Sequence, residues 1–158
     1  MEEEYRTLAQ EMIMAGVEAA DPRRAIEDNV KVENGVLWIE NRDSYPLSDY
    51  EQVLLFGIGK AAAPMCQAFE EILKPDGGLA ITKRGDEIGQ AVVQSIPVYA
   101  AFHPQPRQEN VQYSQEILDL VDSITPDQKT LVVLMISGGG SALFCAPPPG
   151  ISIDAVYR

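Results

Sequence analysis

Residues 53–60 read Val53-Leu54-Leu55-Phe56-Gly57-Ile58-Gly59-Lys60, an apolar run that passes straight into a glycine-marked turn and a cation. Such a run fits a strand covered on both faces, and strands of that kind belong to parallel sheets. A helix is expected next. Ala61, Met65, Ala68 and Ile72 recur at helical spacing, and Pro64 is tolerated because the first helical turn has no intrahelical partners for its amides. Pro75-Asp76-Gly77-Gly78 predicts a turn, and Leu79-Ala80-Ile81-Thr82 a strand running out into Lys83-Arg84-Gly85, which completes one βαβ unit. A second unit succeeds it. Val98-Tyr99-Ala100-Ala101 predicts a short strand and His103-Pro104-Gln105-Pro106 a stiff loop. Val111, Ser114, Ile117, Leu118 and Val121 mark a helix, and residues 131–136 form the strongest strand signal, ending in Ser137-Gly138-Gly139-Gly140-Ser141.

Parallel strands need crossover connections, which are almost always right-handed. Every strand-to-helix loop then emerges at the carboxyl edge of the sheet. Gly57–Lys60, Lys83–Gly85, His103–Pro106 and Ser137–Ser141 are therefore expected on one rim. The fold class that follows is α/β, a three-layer Rossmann-like domain with a mostly parallel sheet, plus a small N-terminal helical segment and a β-hairpin.

The helical segment opens with Tyr5, Leu8, Met12, Ala15 and Ala19 on one stripe, and Asp21-Pro22 ends it and starts a second helix through about Asp28. Val30–Glu33 and Val36–Ile39 flank Asn34-Gly35, a dipeptide that accepts positive φ at both turn positions, so a hairpin is expected. At the other end, Pro147-Pro148-Pro149-Gly150 breaks the chain and Ser152 reads as the N-cap of a helix from Ile153. That helix is cut at Arg158, which leads us to expect a longer protein.

The chain has 158 residues, 12 Lys plus Arg against 24 Asp plus Glu, a formal charge of −12 and 46% hydrophobic residues. Those proportions suit one soluble globular domain. The charge disfavours nucleic acid and anionic membranes, because the basic residues are scattered. Met1-Glu2-Glu3-Glu4 is acidic where a secretory signal is basic, and no apolar run approaches the ~20 residues of a membrane span, so a cytoplasmic location is expected. Cys66 and Cys145 lack the spacing of a metal or disulfide motif and are expected to be packing residues.

Gly57-x-Gly59-Lys60, between a buried strand and a helix, has the features that bring backbone amides and a cation to an anion. It is not a Walker A loop, which has four residues between its glycine and Gly-Lys and a Ser or Thr after the Lys, whereas Ala61 follows here. With Ala62 it satisfies a dinucleotide fingerprint, yet the next strand ends in Thr82-Lys83-Arg84 without an acidic residue for a ribose hydroxyl; Arg84 suits a 2′-phosphate instead. Phosphate binding, an NADP-type site and a purely structural turn remain open on spacing alone. Ser137-Gly138-Gly139-Gly140-Ser141 is more specific, because three glycines leave a stretch of backbone with nothing blocking its amides; the alternative is a hinge or tight turn. A serine-hydrolase elbow does not fit around Ser141. His103, the one histidine, lies in a proline-stiffened loop, either to meet a carboxylate or phosphate or to shape that loop.

Taken together, Leu54-Leu55-Phe56-Gly57-Ile58-Gly59-Lys60-Ala61-Ala62, Gly78-Leu79-Ala80-Ile81-Thr82-Lys83, His103-Pro104-Gln105-Pro106 and Ile136-Ser137-Gly138-Gly139-Gly140-Ser141-Ala142-Leu143 resemble the class II glycerate kinases, whose members are often labelled hydroxypyruvate reductases. The resemblance implies that residues 1–158 are the N-terminal α/β domain of a longer two-domain kinase that makes 2-phosphoglycerate from D-glycerate with ATP and Mg²⁺. It implies a catalytic, substrate-binding Lys60, with His103 and Lys83 also at the substrate, and Gly57, Gly59, Ser137, Gly138, Gly139, Gly140 and Ser141 at phosphate or nucleotide. No protein metal ligand is assigned. Arg107 stands where the family carries an acidic residue, and the family's catalytic arginine lies beyond residue 158. The implied partners are the small-molecule substrate and the missing C-terminal domain, with room for a homodimer. The competing readings are an NAD(P)-dependent hydroxypyruvate reductase and a non-catalytic phosphate-binding fragment.

Overall fold

The apolar run at residue 53 does form a central strand. The computed structural model describes residues 2–85, 92–125 and 127–156, so Met1 and the end at Arg158 lie outside the described residues. In chain order the elements are α1 (Glu2–Ala19), α2 (Pro22–Asn29), β1 (Val30–Glu33), β2 (Val36–Ile39), β3 (Asp43–Pro46), β4 (Gln52–Ile58), α3 (Ala62–Ile72), β5 (Gly77–Lys83), β6 (Val98–Ala101), α4 (Gln108–Asp122), β7 (Thr130–Ile136), α5 (Gly140–Leu143) and α6 (Ile153–Val156).

Strands β4 to β7 form a parallel four-stranded sheet in the order β6-β5-β4-β7. The chain enters at β4, moves outward through β5 to β6, and then crosses back to place β7 on the other side of β4. The order reverses between β4 and β7, and a crevice at that carboxyl edge is where open α/β sheets bind ligands.

Successive residues of β4 serve opposite faces. Val53 and Leu55 join Cys66, Ala68 and Phe69 in a core that α3 covers, while Phe56 joins Leu79, Ile81 and Ile117 of α4 in a second core. Two helices on opposite faces of one sheet give the expected three layers. Gly57 sits under α3, where an added Cβ would lie 2.6 Å from Cys66 Sγ and 2.9 Å from Ala80 Cβ.

One expectation needs correction, and two are met with additions. Gly77 and Gly78 belong to β5, paired with Leu54 and Leu55, and are not a free turn. The hairpin has its Asn34-Gly35 turn at positive φ, but it carries a third strand, β3, antiparallel to β2. Helix α1 forms, but its stripe is uncovered, with Tyr5 68% and Met12 69% exposed. Asp21 caps α2 by accepting from the Arg23 and Arg24 amides at 2.8 and 3.3 Å, and the Ala155 amide donates to Ser152 Oγ at the start of α6. Among the described residues no helix is long and apolar enough to cross a membrane.

Candidate active site

The turn after β4 and the glycine loop after β7 are built as one unit. Ser137 N–H donates to Ile58 O at 2.9 Å, Lys60 N–H to Gly138 O at 2.9 Å, and Ala61 N–H to Ser137 Oγ at 2.9 Å. Gly59 N–H donates to Ile81 O and Ala62 N–H to Gly59 O. Gly59 has φ +129 and presses against Ser137, so a side chain there would meet both steric and conformational resistance. Every amide from Gly59 to Ala62 is thus spent inside the protein. Of the two glycines expected at phosphate, Gly57 packs beneath α3 and Gly59 presses against Ser137 of the second loop.

The second loop is where amides stay open. Among the described residues the N–H groups of Gly138, Gly139 and Gly140 have no acceptor, and Ser137 uses its own N–H and its hydroxyl oxygen structurally. Gly139 adopts φ +87, and a Cβ there would stand 2.9 Å from His103 Nε2 and 3.2 Å from Lys60 Cγ. That single position brings the triple glycine, the lysine and the histidine together. The Gly139 backbone therefore packs directly against the His103 ring and the Lys60 stem, in the same loop as the open Gly138–Gly140 amides. Ser141 is exposed in the short α5.

Lys60 extends from this point into solvent, its carbonyl held by Thr82 Oγ1–H at 3.1 Å. Lys83, the next residue, ends β5 opposite Ala101, so pleating sends it to the other face of the sheet, the side of α4. It shares the rim with Lys60. The guanidinium carbons of Arg84 and Arg107 lie 4.5 and 4.2 Å from the centroid of Phe102, beside His103. The site edge is therefore cationic in a chain of charge −12.

Two buried polar side chains that sequence reasoning passed over organise this rim: Thr82, which holds the Lys60 carbonyl, and Asn110, near the start of α4. Asn110 Oδ1 accepts from the Phe102 and Arg107 amides, both at 3.1 Å, and its Nδ2 donates to Phe102 O at 2.8 Å and Ala142 O at 2.9 Å. An asparagine three residues after the helix boundary is a capping signal that was available in the sequence. Nothing in the sequence pointed to its second set of bonds.

A family model described as "Domain of unknown function (DUF4147)" matches residues 8–158. The chain is 32% identical over 151 residues to a "Glycerate 2-kinase" of Pyrococcus horikoshii, covering 96% of this chain and 32% of that protein. It is 29% identical over 158 residues to a "D-glycerate 2-kinase" of Thermotoga maritima, covering 99% of this chain and 33% of that protein. Among solved structures, the PH0495 protein from Pyrococcus horikoshii superposes with a TM-score of 0.80 at 32% identity, over 95% of this chain and 33% of that one. A glycerate kinase from Thermotoga maritima superposes with a TM-score of 0.75 at 29% identity, over 98% and 33% respectively. The chain thus spans about a third of the length of these relatives.

Proposed function

The chain belongs to the class II glycerate kinase family, corresponding to its N-terminal domain, and from that membership we propose that it contributes the phosphate-gripping half of a D-glycerate 2-kinase. The observation that carries the reading is the meeting of Lys60, His103 and the open Gly138–Gly140 amides at the Gly139 position. Phosphoryl transfer asks chiefly for positioning and for fixed positive charge around the moving group. In the reaction the 2-hydroxyl oxygen of glycerate bonds to the γ-phosphorus of ATP, the bond to the β,γ-bridging oxygen breaks, ADP departs, and the hydroxyl proton is released. The glycine amides hold phosphate oxygens, the Lys60 ammonium offsets their charge, and His103 orients the hydroxy acid, with Lys83 on the same rim. Mg²⁺ would be held chiefly by the nucleotide phosphates, since it keeps several waters and needs few protein ligands, and would offset charge on their oxygens.

A nicotinamide-dependent reductase draws no support from the site, because the Gly59 to Ala62 amides that a pyrophosphate would need are already bonded. The cytoplasm, where ATP and free hydroxy acids meet, is the proposed location. The remaining two thirds of the relatives' length would supply the rest of the active site. The test is ADP release by the complete gene product with D-glycerate, run beside hydroxypyruvate plus NADPH. Lys60→Ala should lower kcat/KM about 100-fold or more with an unchanged unfolding midpoint. Unchanged turnover would remove Lys60 from the mechanism, and NADPH oxidation without ADP release would replace the kinase reading by the reductase.

A further inference from the structure

We propose that Asn110 is the positioning residue that sets the His103 imidazole against the Gly138–Gly140 amides, one buried carboxamide fixing the span between substrate-orienting and phosphate-holding groups. For its chemical meaning this rests on the kinase reading; the geometry stands by itself. Asn110 is fully buried in α4. A helix-capping role needs only the bond that its Oδ1 accepts from the Arg107 amide. The other bonds leave the helix in two directions. Toward the histidine loop, Asn110 takes both backbone groups of Phe102, the residue before His103, with its N–H at 3.1 Å and its carbonyl at 2.8 Å. Toward the glycine loop, Nδ2 reaches Ala142 O at 2.9 Å and Leu143 O at 3.5 Å, the far end of α5.

The two loops come from different strands, and His103 approaches Gly139 where they meet. A carboxamide has two donor hydrogens and one twofold acceptor, and this geometry uses all of them. Its orientation is fixed, because the two amides need an acceptor and the carbonyls need a donor. Asp is isosteric and could accept from both amides, but as a carboxylate it would face the Phe102 and Ala142 carbonyls with no hydrogen to offer. The Gly138 end of the glycine loop has its own anchor, Lys60 N–H to Gly138 O, independent of Asn110. Losing Asn110 should therefore shift His103 relative to the glycine loop more than it harms that loop.

The experiment compares Asn110→Asp with Ile117→Ala, a core truncation on the same helix that packs beside Leu143 and Ala101 but whose side chain can form no hydrogen bond to either loop. The first readout does not need the reaction. His103 is the one histidine in the chain, so its ring protons are unambiguous, and their NOE to the Gly139 α-protons should be present in the parent and Ile117→Ala and lost in Asn110→Asp. The second readout is ADP release by the complete gene product. Asn110→Asp should lower kcat with D-glycerate about 30-fold and leave the nucleotide KM within about threefold, while Ile117→Ala stays within about threefold on both. An NOE kept in Asn110→Asp overturns the positioning role. So does a lost NOE with unchanged kcat, or equal losses in both variants. A lost NOE in a protein whose parent does not release ADP overturns the kinase reading alone and leaves the positioning of His103 supported.

Discussion

Cys66 shows how placement decides the chemistry of a single residue. Its thiol lies beneath Gly57 and inside the α3 core, and burial, with a smaller contribution from the Glu70 carboxylate, pushes its pKa from 9.0 up to about 12. The thiolate is the nucleophile, so a thiol that stays protonated in the folded protein is inert. Cys66 should not react with a disulfide reagent at pH 8 until the protein unfolds, and counting released thiolate in native and denatured samples measures this. The same shift has a sign for stability. The unfolded chain gives up this proton near pH 9 and the folded chain only near 12, so unfolding is increasingly favoured as pH rises across that window and unaffected by this group below it. A midpoint that is flat from pH 8 to 11 in the parent, or that falls equally in Cys66→Ala, contradicts the assignment.

At the level of elements, what could be read beforehand was whatever the local sequence specifies. The strands at β4 and β7 announce themselves as apolar runs, and the four rim loops as clusters of glycine and proline, because these residues fix or free the backbone wherever they occur. Strand β3 could not be read that way: Asp43-Ser44-Tyr45-Pro46 has no apolar alternation and exists as a strand through its pairing with β2. The state of the loop amides was equally hidden. Whether Ala61 N–H is open or bonded depends on Ser137, 76 residues away, so two turns that look alike in sequence differ, one with its amides bonded and the other with the Gly138–Gly140 amides open. Arg84 and Arg107 are a similar case, meeting on Phe102 from the end of β5 and the start of α4. Together with Lys60 they concentrate positive charge at a rim of an acidic protein, which would raise the encounter rate with an anionic ligand. The double variant Arg84→Gln, Arg107→Gln should reduce kcat/KM at low salt roughly three- to tenfold and flatten its decline with ionic strength. A double variant with the parent's salt slope would show that the arginines only brace Phe102.

Across the whole molecule the distribution of apolar surface is uneven. Val53, Leu55, Leu131 and Met135 are buried on the α3 face, whereas Val132, Leu134 and Ile136 on the opposite face of β7 are 45%, 48% and 63% exposed. Helix α4 covers β5 and β6 on that side, while Val132, Leu134 and Ile136 of β7 stay largely uncovered. Strand β7 also ends the described sheet, with one row of backbone groups unpaired. An edge strand bearing a contiguous apolar stripe is a template for association, because water leaves both its side chains and its open ladder when another chain docks. The 158-residue chain should accordingly self-associate as its concentration rises despite a charge of −12, and do so more strongly at high salt, where the repulsion is screened. Val132→Thr with Leu134→Lys replaces the stripe while preserving strand-compatible backbone. Sedimentation velocity should then give a single slow species over the concentration range in which the parent sediments as larger ones. The unpaired edge alone would be the cause if the substituted chain still associates, and the exposed helix α1 would be the surface to test if removing its apolar side chains, Met12 and Ile13 first, abolishes the larger species instead.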